Sequence, residues 1–568
     1  MNTSEEIKKI ISQVSNISLE QLEVEHPADI KHGDYSSNIA MVLAKEKKKN
    51  PREVAEEIKE KIEGLEKSKN LIKKIEVAGP GFINFYLKEE LLIKEAEKIN
   101  YEIEYRNELN KSGQGKIMVI DYSAPNIAKP FGIGHLRSTN IGQAIYNLYK
   151  ILGWTCIGDN HIGDWGTQFG KLIVAIKKWN KKELNELTVE DLEKLYIKFH
   201  QEAEKDESLV DEARDWFVKL EKGDKEAQEI WQKCVDTSLL EFERVYQMLG
   251  VHIDFIHGES FYQDKLQETI KEIEEKGISK ESQGATIIDF KNMSPAMLRK
   301  SNGTTTYFTR DMATIKYRIK EWNPDLIIYE VGADQNLYFK QVFETAELMG
   351  WIDKNKLVHI GHGLIRWKGG KFSTRKGDTI HLSDVINKAM EKAKGIADKS
   401  EVNKDLTATE KKDMVKAVAI GAIKFSDLAT DPKKDIIFDW DQIMSLNGDS
   451  GPYLQYSYAR CNSVLEKSQI KEQKNIDKFP ESINENEMLL IKDFYRLKEK
   501  IEEAARRFSP AVLADYLLGI ARKYNEFYSK NRIIGEKEEV FRIFLTKTTM
   551  SILDIGMEIL GIDKVQRM

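Results

Sequence analysis

The stretch KIMVIDYSAPNIAKPFGIGHLRSTNIGQAIYNLYK, residues 116 to 150, leaves the chain one local course: strand, irregular loop, helix. Ile117, Met118, Val119 and Ile120 form a short apolar run of the kind buried on both faces of a parallel sheet, and Asp121 ends it. Pro125, Pro130, Gly132 and Gly134 then forbid regular structure. Ser138 or Thr139 is expected to cap a helix whose apolar residues Ile141, Ala144, Ile145, Leu148 and Tyr149 recur at helical spacing. A buried strand thus delivers a glycine-bearing turn to a helix N-terminus, where free backbone N–H groups and the helix dipole favour phosphate. Gly134 lets a nucleotide lie close to the backbone, and the His135 imidazole can donate to an α-phosphate oxygen. Alone, GxGH is a weak signal, more often a tight turn than a site.

At 568 residues the chain exceeds a single hydrophobic core, so about three or four domains are expected. It holds no run of about 18 apolar residues, and MNTSEEIKKI lacks the basic start and apolar core of a secretory signal. No membrane partner and a cytoplasmic location are therefore expected. Cys156, Cys234 and Cys461 lie far apart and never form CxxC, which argues against a disulfide framework and against structural zinc. With 87 Lys+Arg against 93 Asp+Glu, charge gives no overall sign of nucleic-acid binding. From Gly451 onward the balance is 20 against 18, so any RNA partner has to be argued from motifs.

Residues 1 to about 110 read as a compact α+β unit. A helical pattern (Ile7, Ile10, Ile11, Val14) opens it, Asn50-Pro51 starts another helix, and IEVAGPGFINFYL alternates like strands around Gly79-Pro80-Gly81. ELNKSGQGK is the linker into the Lys116 strand. Beyond the helix, NHIGDWGTQFG crowds His161, Asp164, Trp165 and Gln168 into Gly-rich turns, which suggests a binding rim. From about Lys178 to Gly250 the chain is charged and helical with apolar stripes, an inserted layer without catalytic residues. Strand patterns return with ATIIDF and with DLIIYEVGADQNLYFKQ, and the alternation implies a doubly wound parallel sheet.

His359-Ile360-Gly361-His362 is followed by Gly363 and Leu364, with no helix for its histidines to cap, so it reads as a strand end beside a nucleotide base. The loop WKGGKFSTRKGD places Lys371 and Ser373 between glycines, and a mobile lysine there can close on a leaving pyrophosphate. Leu382 to about Leu446 is helical, and residues 449 to 568 form a terminal all-α bundle. In its first helix Tyr453, Gln455, Tyr456, Tyr458 and Arg460 could stack on and hydrogen-bond to unpaired bases.

GIGH resembles the HIGH signature of class I aminoacyl-tRNA synthetases, with Gly132 in place of the first His, and KFSTR resembles KMSKS. In order, SAPNIAKPFGIGHLRST, NHIGDWGTQFG, YFTRD, GADQNLYFKQ, KFSTRKG and GPYLQYSYAR together resemble arginyl-tRNA synthetase over essentially the whole chain. The resemblance implies an N-terminal additional domain (1–110) contacting the tRNA elbow and a class I Rossmann catalytic domain (111–381) with the helical insertion at about 178–250. A helical connecting region (382–448) and an α-helical anticodon-binding domain (449–568) follow. It implies ligation of L-arginine to tRNA(Arg) with ATP and Mg²⁺, through an arginyl-adenylate and transfer to the 2′-hydroxyl of the terminal adenosine. A monomer is expected.

Arginine has to be held by its guanidinium, and carboxylates or amides match its fork of donors. By the resemblance, Asp121 and Asp311 contact the guanidinium side, Tyr307 packs nearby, and Asn126 and Gln335 orient the α-amino end. His135 and Lys371 are the main catalytic candidates, Gly132, Gly134 and Ser373 join them around ATP, and His161 and His362 are placed near the nucleotide. Two departures matter: Gly132 removes one signature His, and Thr374 replaces the second signature lysine. Lys129 is positioned to restore the missing charge, with Arg375 and Lys376 as alternatives.

Overall fold

The computed structural model describes residues 3–27, 29–368, 381–400, 404–470, 475–476, 480 and 482–568. Its compact units are two: Met1–Tyr105 with Ser463–Lys500 and Gly519–Ile552, and Arg106–Asn462 with Ile501–Leu518 and Leu553–Met568.

The first unit contains the α+β layer expected near the N-terminus. Strands Tyr35–Ser37, Phe82–Leu87 and Ile72–Ala78 form an antiparallel sheet with Phe82–Leu87 in the middle. Helix Pro51–Glu63 starts where Asn50-Pro51 predicts, with the Asn50 side chain accepting from the Arg52 N–H at 2.9 Å. It buries Val54, Ala55, Ile58 and Ile62 on one stripe. Within the same unit the Glu499 carboxylate accepts from the Tyr35 hydroxyl at 2.6 Å and pairs with His26 at 2.8 Å. The N-terminal layer and the helices of 485–500 therefore share buried polar contacts.

The second unit is built on a five-stranded sheet in the order Leu357–His362, Leu326–Gly332, Ile117–Asp121, Thr155–Asn160, Phe255–Ile256. Every adjacent pair is parallel. Strand order reverses at Ile117–Asp121, whose neighbours come next and much later in the chain. The crevice at the carboxyl ends of Ile117–Asp121 and Leu326–Gly332 is thus the topological switch point. The sequence placed ATIIDF in this sheet; instead Ala285–Ile288 is the middle strand of a separate antiparallel sheet between Ser279–Ser282 and Ala296–Arg299. Its apolar run is satisfied by two hairpin partners rather than by helices on both faces.

Helices Val189–Ala203, Ser208–Glu221 and Lys225–Leu249 form the expected insertion, and they pack on Thr167–Trp179 through Phe169, Ile173, Leu192, Phe199 and Phe242. Their aromatic residues are core.

Two buried arginines brace this unit, one tying the sheet to a helix and one tying two helices together. Arg318 of helix Tyr307–Trp322 is fully buried and donates to Asp159 Oδ2 at 2.7 Å and Asp121 Oδ2 at 2.9 Å. Arg137 of helix Ile133–Ile151 donates to Asp427 at 2.9 Å and to the Lys434 carbonyl at 2.7 Å. Burial pushes the Asp427 carboxyl up to about 6, against the opposing pull of Arg137. Removing one member of such a group leaves a buried charge without its partner. Arg318→Met should therefore cost about 3–5 kcal/mol of stability in denaturant unfolding; a loss below about 1 kcal/mol would show that the strand ends do not depend on it.

Candidate active site

The glycine turn sits at the switch point. Helix Ile133–Ile151 begins directly after Gly132, so Ser138 and Thr139 lie inside it and do not cap it. Their hydroxyls serve tertiary contacts. Ser138 accepts from the Ser123 N–H at 2.9 Å and donates to the Glu330 carbonyl at 2.8 Å, and Thr139 meets the Ser123 hydroxyl at 2.6 Å.

Between strand and helix, Ser123 and Ala128 adopt φ of 55° and 60°, a left-handed backbone that costs energy without glycine. The insertion helix Lys225–Leu249 holds them there. The Ala128 N–H donates to Ser238 at 2.9 Å, and the Tyr246 hydroxyl donates to the Ser123 carbonyl at 3.0 Å.

The Gly132 N–H donates to His135 Nδ1 at 3.3 Å. That contact makes Nδ1 an acceptor and leaves the proton on Nε2. Burial and the nearby Lys129 ammonium both lower the His135 pKa, so the ring is a neutral Nε2–H donor. A Cβ on Gly134 would meet no protein atom within 4 Å, so the space above the turn is open. Lys129 is exposed beside it, its ammonium 5.7 Å from the Tyr196 ring centre. Gly132 also pairs with His381 across an antiparallel bridge, and the Leu382 N–H donates to the Phe131 carbonyl at 2.9 Å. The chain therefore returns to this turn right after residues 369–380. Lys371, Ser373, Thr374, Arg375 and Lys376 fall outside the described residues.

His362 ends its strand opposite Gly332, as the sequence predicts, and its Nδ1 lies 2.9 Å from the buried Glu330 carboxylate. Burial opposes its charge, but Glu330 outweighs that and raises the His362 pKa.

A group of carboxylates gathers at the carboxyl end of strand Ile117–Asp121. Asp121 is already engaged: Arg318 donates to Oδ2 and the His161 N–H donates to Oδ1 at 3.3 Å, so its carboxylate is shared with an internal guanidinium. Asp311, on the second turn of helix Tyr307–Trp322, is about one-fifth exposed and accepts from the Tyr338 hydroxyl. Burial raises its pKa, with His161 and Tyr338 opposing. His161 Nε2 lies 3.9 Å from Asp311 Oδ1, beside the carboxylates. Tyr307 is 62% exposed one helical turn from Asp311. Gln335, in the short turn after strand Leu326–Gly332, and Asn126, which bridges to Gly163, are exposed at the rim.

Sequence reasoning passed over Glu259. Its side chain is 8% exposed, and Oε2 is buried without a hydrogen-bond partner. Burial pushes its carboxyl up to about 7, with Arg310 and His161 opposing and Asp311 and Asp164 adding to the rise. Its only signal in the chain is an acid in the turn HGES, which is indistinguishable from a surface loop.

In helix Gly451–Lys467 two of the proposed base contacts are corrected. Gln455 is fully buried and donates to the Ala417 and Asp563 carbonyls at 2.9 and 2.8 Å, and Tyr458 is 2% exposed. Both hold the helix in place. Tyr453, Tyr456 and Arg460, spaced by three and four, share a half-exposed face, and the Arg460 guanidinium lies 4.6 Å from the Tyr456 ring centre.

Comparison with known proteins identifies the family. Residues 99–440 match the family described as tRNA synthetases class I (R), catalytic domain. Residues 1–87 match the arginyl tRNA synthetase N terminal domain, and residues 454–568 the DALR anticodon binding domain. The arginine–tRNA ligase of Halothermothrix orenii is 40% identical over 574 residues, covering 99% of each chain. That of Clostridium kluyveri is 40% identical over 578 residues, covering 100% of this chain and 99% of its own. The solved arginyl-tRNA synthetase of Plasmodium falciparum superposes with a TM-score of 0.82 at 25% identity, covering 100% of this chain and 99% of its own. Matched by three domain families in order and by full-length relatives, the chain belongs to the arginyl-tRNA synthetases of class I.

Proposed function

We propose that the chain ligates L-arginine to tRNA(Arg) in two steps: ATP-dependent formation of arginyl-adenylate with release of pyrophosphate, then transfer to the 2′-hydroxyl of the terminal adenosine, supplying arginyl-tRNA for translation. The observation that carries this reading is one switch-point crevice with a neutral histidine donor at a glycine turn and a partly unsatisfied carboxylate pocket beside it. The chemistry of each half matches one substrate.

ATP arrives as its Mg²⁺ complex, with the ion carried largely by the phosphates of the substrate. Gly132 and Gly134 admit the phosphates, and His135 Nε2–H donates to an α-phosphate oxygen as negative charge grows there. Lys129 supplies the charge lost with the second signature lysine, and Lys371 and Ser373 act on the departing pyrophosphate. His362, oriented by Glu330, faces the nucleoside. The arginine carboxylate oxygen bonds to the α-phosphorus while the bond from that phosphorus to the bridging oxygen breaks. Donors that tighten only as charge develops raise the rate and leave ground-state affinity nearly unchanged.

On the other side, Asp311 and Glu259 receive the guanidinium with Tyr307 against its face, and Asn126 and Gln335 orient the α-amino end. Asp121 contributes through Arg318 and His161 by fixing the pocket wall. For tRNA, the exposed stripe of Tyr453, Tyr456 and Arg460 offers stacking and charge to anticodon-loop bases. The N-terminal layer has a cavity of about 570 Å³ lined in part by Phe82, Asn84, Ser36 and His26, and Phe82 is 40% exposed. A ring beside an amide suits an unpaired base, which supports the elbow contact. A cytoplasmic monomer remains the expectation; among the described residues no helix is long and apolar enough to cross a membrane.

The decisive experiment is arginine-dependent ATP consumption with and without tRNA(Arg). Pyrophosphate exchange should appear only when tRNA is present, because the family resemblance implies activation with tRNA bound; robust exchange with arginine and ATP alone would remove that coupling. Lys129→Ala should lower the adenylation rate roughly ten- to a thousand-fold, the scale of one transition-state contact, with little change in arginine affinity. An unaltered rate would take the compensating role from Lys129.

A further inference from the structure

Around Asp311 buried atoms of charged groups lack a hydrogen-bond partner, among them Glu259 Oε2 and Arg310 Nε. Glu259 is packed against the segment after strand Thr155–Asn160, its N–H donating to the Ile162 carbonyl at 3.0 Å. That segment contributes His161 and Asp164, helix Tyr307–Trp322 contributes Arg310 and Asp311, and helix Asn336–Met349 contributes Tyr338. Each of the other acids already has a partner. Asp311 accepts from Tyr338, and Asp164 accepts from the Ser260 N–H and hydroxyl at 2.8 and 2.5 Å. Glu259 alone retains a buried oxygen without one. A buried carboxylate with no donor is costly, and the cheapest remedy in an empty pocket is a proton.

Resting on the arginine-pocket reading above, we propose that Glu259 is a carboxylic acid in the empty enzyme and that arginine entering as a permanent cation displaces its proton to solvent. The O–H bond of Glu259 breaks, the proton passes to the buffer, and the guanidinium takes its place as the partner of the carboxylate. Arginine is suited to this exchange because its guanidinium stays charged at any working pH. Glu259 thereby becomes a specificity residue: it offers a carboxylate only to a ligand that brings a fixed positive charge.

The sign follows from the direction of the shift. A carboxyl raised to about 7 is mostly protonated below that pH and mostly ionised above it. Arginine binding should therefore weaken as pH falls below 7, approaching about tenfold per unit, and become independent of pH above about 8.

The test is isothermal titration of the full chain with L-arginine in several buffers of different ionisation enthalpy. The apparent enthalpy should vary linearly with buffer enthalpy, reporting release of about half a proton at pH 7, nearly one at pH 6 and almost none at pH 8.5. Glu259→Gln, which keeps size and polarity, should abolish the slope at every pH and weaken arginine binding at least tenfold at pH 8.5. Arginine that binds at pH 6 without proton release overturns the inference while leaving the arginine pocket intact. A slope that survives in Glu259→Gln also overturns it, since the proton then comes from another group. Absence of arginine binding to the wild-type chain would instead remove the reading beneath it. The wild-type slope needs no variant, so a misfolded mutant cannot protect the proposal.

Discussion

A guanidinium wedged between two strand ends underlies the rest. Arg318 is fully buried, and its contacts with Asp121 and Asp159 join the carboxyl ends of neighbouring strands to the helix that carries Asp311. Asp159 in turn holds His257 Nδ1 at 2.9 Å, and Asp121 holds the His161 backbone. Without that internal cation two buried carboxylates would face each other across adjacent strands, and one or both would have to take up a proton. With it, they become fixed struts, and the wall of the pocket is rigid where the substrate arrives. The arrangement also fixes the level of negative charge left for a ligand: Asp121 and Asp159 are paired with Arg318, while Asp311 and Glu259 make no hydrogen bond to it.

The phosphate side rests on a matching device. Arg137 leaves the glycine-turn helix to meet Asp427 and the Lys434 carbonyl, so the helix that presents His135 is pinned from behind by helix Ala408–Leu428. Preorganisation of this kind matters for the role proposed for His135, whose ring offers a single N–H. A donor that drifted by an ångström would lose most of its value to the transition state. Ser123 and Ala128, held at positive φ by the insertion helix, store strain on the same loop, and the hydroxyls of Ser238 and Tyr246 stabilise it.

What the sequence made legible was local. The strand at Ile117–Asp121, the glycine turn and the helix after it carry their signals within a few residues, and the reading of His359–His362 as a strand end rested on the missing helix downstream. Failures came where a tertiary partner decides. Ser138 has the chemistry of a cap, but Ser123 and Glu330 claim its hydroxyl. Asp121 reads as a free carboxylate because Arg318 stands 197 residues away. Gln455 looks like its neighbour Tyr456 on paper, yet one points into the Ala417 and Asp563 carbonyls and the other is half exposed. Glu259 gave no sign, since an unsatisfied oxygen exists only once the surrounding fold has excluded water from it.

If the proposed pocket holds arginine as described, it can select it without a second sieve. Lysine brings the same charge as a compact ammonium, which cannot meet two carboxylates in the plane that a guanidinium fork spans. Citrulline has nearly the right shape without the charge. It would leave Asp311 without a cation while Glu259 kept its proton, so the buried mismatch would be borne chiefly by one carboxylate at low pH and by two at high pH. Polar sites that leave a buried partner unpaired discriminate by several kcal/mol, well above the roughly 1–3 kcal/mol that separates aliphatic side chains differing by a methylene. The margin against a neutral analogue therefore widens as Glu259 ionises, and the margin against lysine rests on geometry at every pH. The internal arginine supports both, because it keeps Asp121 and Asp159 paired and in place and leaves proton exchange to Glu259.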